Sequence, residues 1–171
     1  MRLLAILCIS SLGLLAADAT PQRAFVQDFE KHWKNARQLA IAVAEAMPAE
    51  SYSFKPTPEE MSFGEQMVHI TDSVFGYCAF SNFQEAKSPY KKPAQIEKET
   101  TVKNLGEAFD YCSSVIQGLP EGGLEKAHGQ APRQFNTREV IFGLLVHMAH
   151  HRGQAEVYLR LKGITPPPYK W

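Results

Sequence analysis

The chain has 171 residues, with 18 acidic and 18 basic side chains giving a formal net charge of +0. That balance provides no long-range field for nucleic acid or an anionic membrane, so neither is expected as a partner. With 44% apolar residues, a chain of this length is expected to bury a single core of its own.

At the N-terminus, Arg2 precedes an apolar run from Leu3 to Leu15 and then Ala16-Ala17-Asp18-Ala19, the order of a secretory signal. The run is too short to span a bilayer and polar Thr20-Pro21-Gln22 follows it, so cleavage after Ala17 or Ala19 is expected instead of a stable membrane anchor. Residues 1–19 therefore read as signal peptide, residues 20–171 as one domain, and the mature protein as periplasmic or secreted. Cys8 would leave with the leader. Cys78 and Cys112 remain, an even number in an oxidising compartment, where a structural disulfide is open to them.

The mature sequence predicts four helices. In the first, Phe25, Phe29, Trp33, Ala36, Leu39, Ala40, Val43, Ala44 and Met47 recur every three or four residues, with Glu30, Lys31, Lys34 and Arg37 opposite, and Pro48 closes the pattern. After a connection carrying Pro56 and Pro58, Ser62-Phe63-Gly64-Glu65 forms a capping-box pattern that starts the second helix. Its inward side includes Gln66, His69, Ser73, Tyr77 and Phe80, and the pattern weakens at Ser81-Asn82. The polar, proline-containing stretch from about Glu85 to Thr101 is long for a bundle turn and is expected to cross the length of the bundle, leaving helices 2 and 3 parallel. The third helix spans about Lys103 to Gln117, through Leu105, Ala108, Phe109, Cys112 and Ile116. Glu121 to Phe135 reads as a loop or a short irregular ribbon. The fourth helix is capped by Asn136 or Thr137, runs through Val140, Leu144, His147, His151, Ala155 and Tyr158, and stops at Gly163 before three prolines. No repeat, glycine-rich phosphate loop or strand series interrupts this order, so the expected fold class is all-α, a four-helix bundle.

The chemistry of the chain concentrates in Val146-His147-Met148-Ala149-His150-His151. His147 and His151 are four apart, so their imidazoles stack on one helical face and can reach one ion. The candidate third ligand is His69, on the apolar face of the second helix. Three imidazoles leave an open position, the arrangement of a reactive metal site. His150 is turned about 60° from His147, away from His151, and reads as a residue supporting the ligands from behind or as helix flank. His32 and His128 read as non-ligands. Cys78 lies half a turn away from His69 around its helix, and a core or disulfide role suits both it and Cys112. Where zinc peptidases place a glutamate after the first histidine, this helix has Met148, so a peptidase is not expected. Arg152, Gly153 and Gln154 suit structural roles: pairing with an acidic neighbour, close helix approach, and a bond to an imidazole or backbone group. Asp72, Ser73, Tyr77 and Tyr158 fall within helical reach of the site, without roles that spacing alone can assign.

Met47 through Pro58, Ser62 through Ile70, and His147-x-x-His150-His151-Arg152-Gly153-Gln154 with Gly163-Ile164-Thr165-Pro166-Pro167 together resemble the DinB superfamily over most of the mature chain. The resemblance implies up-down-down-up topology and a divalent metal, commonly nickel or zinc, held by one histidine of helix 2 and two of helix 4, which here are His69, His147 and His151. The superfamily includes thiol-dependent isomerases and S-transferases, and this chain departs from those cytosolic enzymes in carrying an export signal. The foremost expectation is a metal-dependent enzyme of thiol-transferase, isomerase or hydrolase type, with a small molecule or thiol as partner. The alternatives are a non-catalytic metal-binding or stress-associated envelope protein, and a structural or interaction bundle. A homodimer is also open, because helix 1 is apolar over a broad arc.

Overall fold

The computed structural model describes residues 20–81 and 88–169, with the backbone alone described at Phe80 and Ser81; the expected signal peptide and Asn82 lie outside the described residues. Four helices carry the fold: α1 (Pro21–Ala46), α2 (Phe63–Ser81), α3 (Lys98–Gln117) and α4 (Thr137–Leu161). Helix α1 begins before its apolar period does. The Thr20 hydroxyl accepts from the Arg23 N–H at 3.3 Å and Pro21 occupies the first turn, where its missing donor costs nothing. The capping box before α2 forms as its spacing predicts: Ser62 N–H donates to the Glu65 carboxylate at 2.6 Å, and Glu65 N–H donates to the Ser62 hydroxyl at 3.2 Å. Glu65 is held below the usual carboxylate range, first by that backbone donor.

Two expectations need correction. Helix α3 starts at Lys98, not near Lys103, because its first turn is polar and shows no apolar period, although Thr101 is fully buried there. The segment before α4 is an antiparallel hairpin of β1 (Ala127–Gln130) and β2 (Arg133–Asn136), with Ala127 opposite Asn136 and Gln130 opposite Arg133. Gly129 holds φ +75°, and a Cβ there would meet the Arg133 carbonyl oxygen at 2.5 Å, so the hairpin requires glycine. Buried His128 fastens β1 to the start of α4 through Thr137, Nε2 to Oγ1 2.8 Å.

Contacts between helices fix their directions. Trp33 meets Phe109 with ring centroids 4.6 Å apart and donates its indole N–H to the Phe109 carbonyl, while Lys98 reaches the Glu45 carbonyl, so α1 and α3 run antiparallel. Cys78 is disulfide-bonded to Cys112 with Cα atoms 5.3 Å apart, each in the last third of its helix, so α2 and α3 run parallel. Tyr158 donates to the Met61 carbonyl at the start of α2, whereas His147 meets His69 further along, so α4 returns antiparallel to α2. The order is up-down-down-up, with α2 and α3 parallel as expected. The core lies along the bundle axis and includes Trp33, Met47, Phe63, Ile70, Phe109, Ile116, Leu144 and Met148. Burying such side chains contributes about 1.5–3 kcal/mol apiece. At the end of α4, Gly163 takes φ +74°, the left-handed stop its position implies.

Candidate metal centre

The histidines of α2 and α4 meet where the two antiparallel helices face each other. His147 Nε2 stands 3.2 Å from His69 Nε2 and 2.9 Å from His151 Nε2. The ligating atoms of all three lie within 4.8 Å of one another, and the side chains are half-buried. The three sequence-predicted site residues are therefore brought together. Tetrahedral zinc with Zn–N of about 2.0–2.1 Å spaces its nitrogen ligands about 3.3 Å apart. The two observed separations are close to that value, so the donor set fits a divalent ion.

A fourth residue, absent from the predicted set, completes the arrangement. His151 Nδ1–H donates to the Gln66 side-chain carbonyl at 2.8 Å, which leaves the Nε2 lone pair directed at the other imidazoles. Gln66 is 1% exposed and one turn before His69. Its position on the inward face of α2 was visible in the sequence, but its role was not, since a lone glutamine carries no metal signature. The Gln66 amide nitrogen and His147 Nδ1 are buried without hydrogen-bond partners among the described residues.

Burial disfavours the charged form of the two α4 histidines. Burial, reinforced by His69 and then His147, pushes the His151 imidazole down to about 4. Burial and the adjoining His69 and His150 likewise lower His147. Neutral imidazole is the form that donates a lone pair to a metal.

The surrounding residues sort clearly. The Tyr77 ring lies 5.8 Å from that of His147 and forms a wall of the site. His150 is exposed, as the helix angle predicts. Asp72 pairs with Lys92 at 3.0 Å and Tyr158 is committed to Met61, so neither carries a role at the cluster. Arg152 meets Glu156 at 3.3 Å, the acidic neighbour expected for it. Gly153 does not serve close helix approach: it is exposed, and a Cβ there would meet nothing within 4 Å. Two residues beyond His151, it points to the opposite side of α4. Beside the histidines, between α2, α4 and the hairpin, opens a cleft of about 440 Å³.

The DinB family model matches residues 21–171. The chain is 27% identical over 146 residues to the uncharacterized protein YjoA of Bacillus subtilis (strain 168), covering 81% of this chain and 91% of YjoA. Among solved structures, the DinB-like protein YjoA from Bacillus subtilis aligns with a TM-score of 0.68 at 22% identity, covering 84% of this chain and 97% of that one. A DinB-like protein from Bacillus cereus aligns with a TM-score of 0.72 at 19% identity, again over 84% and 97%. At these identities the structural likeness speaks for the fold.

Proposed function

The chain belongs to the DinB family, and on that premise we propose a metal-dependent enzyme of thiol-transferase, isomerase or hydrolase type, with one divalent ion, zinc or nickel, held by His69, His147 and His151. The observation that carries this reading is the 2.8 Å hydrogen bond from His151 Nδ1–H to Gln66, which turns His151 Nε2 toward the imidazoles of His147 and His69. A divalent ion held there would supply Lewis acidity, lowering the pKa of a thiol, water or substrate oxygen. Gln66 fixes the orientation of His151, burial disfavours the charged forms of His147 and His151, and Tyr77 bounds the approach. The cluster consists of imidazoles alone among the described residues.

Half-burial of the histidines and the cleft beside them favour catalysis over a closed, non-catalytic metal store. Export belongs to the same proposal. It is supported by the apolar leader with its small residues and by the Cys78–Cys112 bond, which persists in oxidising compartments.

Elemental analysis of mature, tag-free protein purified without chelator tests the centre. About one ion per chain, lost in His69→Ala and in His147→Ala/His151→Ala, is expected. A cobalt-loaded sample should also change its visible spectrum when an exogenous thiol is added. Absence of bound metal, with no uptake or thermal stabilisation by added zinc or nickel, would sink the reading.

A further inference from the structure

The cleft beside the histidines has a composition that selects a ligand. Gly76 and Tyr77 lie about two turns beyond His69 on α2, and Gly143 and Val140 lie about one and two turns before His147 on α4. Because the helices are antiparallel, the cleft continues the groove in which the imidazoles meet, and Tyr77 stands at the junction. Its floor is open, since a Cβ on Gly76 or Gly143 would meet nothing within 4 Å. Phe135 of β2, 50% exposed, supplies an aromatic side wall. A volume of about 440 Å³ admits a small organic molecule, not a peptide.

Three groups of the lining could carry charge, and two are committed. The Glu139 carboxylate accepts from the Asn136 N–H at 2.7 Å and caps α4, and His128 is bonded to Thr137. Arg133 of β2 has no ion-pair partner among the described residues. Its guanidinium presents the planar fork that suits a carboxylate. A dianion would be opposed by Glu139 in the same cleft, so a single negative charge fits best.

We propose that this cleft binds a monocarboxylate with a flat apolar body, the carboxylate on Arg133 and the ring between Tyr77 and Phe135, with the far end of the molecule directed to the histidine cluster. The proposal names the substrate class for the metal-dependent reading and rests on that reading only for what happens at the far end. Binding itself requires no ion.

Chelator-stripped, 15N-labelled protein titrated with phenylacetate and with neutral phenylacetamide provides the test. Phenylacetate should shift the amide signals of Gly76 and Gly143 and bind about tenfold more tightly than the amide, a charge-assisted preference. Arg133→Gln, a change at an exposed strand position, should erase the preference, and Gly143→Leu, which fills the cleft and leaves Arg133 in place, should abolish binding of both compounds. Equal affinities, a preference that survives Arg133→Gln, shifts confined to other residues, or no shift at all would each overturn the proposal. Phenylacetate binding in a protein that takes up no metal would retain the cleft and reject the centre; a metal-loaded protein indifferent to phenylacetate would do the reverse.

Discussion

Replacing Gln66 with methionine separates orientation of the centre from stability of the fold. The side chains are similar in size and the site is 1% exposed, so the packing volume is nearly kept. The substitution removes the acceptor of the 2.8 Å bond from His151 Nδ1–H and leaves that donor unpaired, at a cost of about 1–3 kcal/mol. It also deletes the Gln66 amide nitrogen, a buried donor with no partner, which returns a comparable amount. The two terms oppose each other, and metal-free stability should change by no more than about 1 kcal/mol. Zinc affinity has no such compensation. A ligand released from its orienting hydrogen bond should weaken binding about 10–100-fold, equivalent to about 1.4–2.7 kcal/mol. Competition against a chromophoric chelator measures the affinity, and urea unfolding of the stripped protein measures the stability. Zinc binding unchanged within about threefold, or a stability loss of several kcal/mol with affinity intact, would refute the assignment of Gln66 as the orienting residue.

Lowering the pH should destabilise the metal-free fold through His151. The unfolded imidazole titrates near 6.5 and the folded one near 4, so stability held above pH 6.5 is lost progressively as pH falls toward 4. Melting temperatures of stripped protein between pH 7.5 and 5 test this, and His151→Gln should flatten the dependence; an equally steep curve in the variant would count against it. The Cys78–Cys112 bond closes a sequence separation of 34 residues, for which loop entropy gives about 4 kcal/mol. Cys78→Ala/Cys112→Ala should therefore lower the urea midpoint clearly relative to the oxidised protein, and coincident unfolding curves would contradict that estimate. At Gly64 a Cβ would stand 2.7 Å from Ile96 Cγ2 and 3.2 Å from the Tyr52 carbonyl. Gly64→Ala should cost about 1–3 kcal/mol by overpacking, and a neutral or stabilising result in thermal melts would show that Ile96 yields freely.

The parts of the fold legible in the sequence are those where burial repeats with the helical period. Phe29, Trp33, Ala36, Ala40 and Val43 mark α1, the Ser62/Glu65 box marks where α2 begins, and Asn136, one of two candidate caps, marks the start of α4. The start of α3 was hidden because Lys98 to Lys103 is mostly solvated and tied down by Thr101, a residue that period arguments pass over. The hairpin was hidden for a related reason: along β1 and β2 only His128 is buried, so no alternation exists to read. At the candidate centre, i,i+4 spacing singled out His147 and His151, and an apolar helix face singled out His69. Gln66 went unassigned because its meaning depends on which atom faces it across the groove. Gly153 was misread from its neighbours, although an angle counted from His151 would have placed it on the outer surface.

Helix α2 is gripped from both flanks by different chemistry. On one side a sulfur–sulfur bond ties it to α3, and on the other an imidazole cluster joins it to α4. Helix α1 has neither attachment among the described residues and is secured by interlocking rings around Trp33, aided by polar contacts such as Arg37 with Asp110. The two fastenings differ in reach from solvent: the sulfur–sulfur bond is sealed in the core, whereas the half-buried imidazoles stand where an ion taken up between α2 and α4 would set the other.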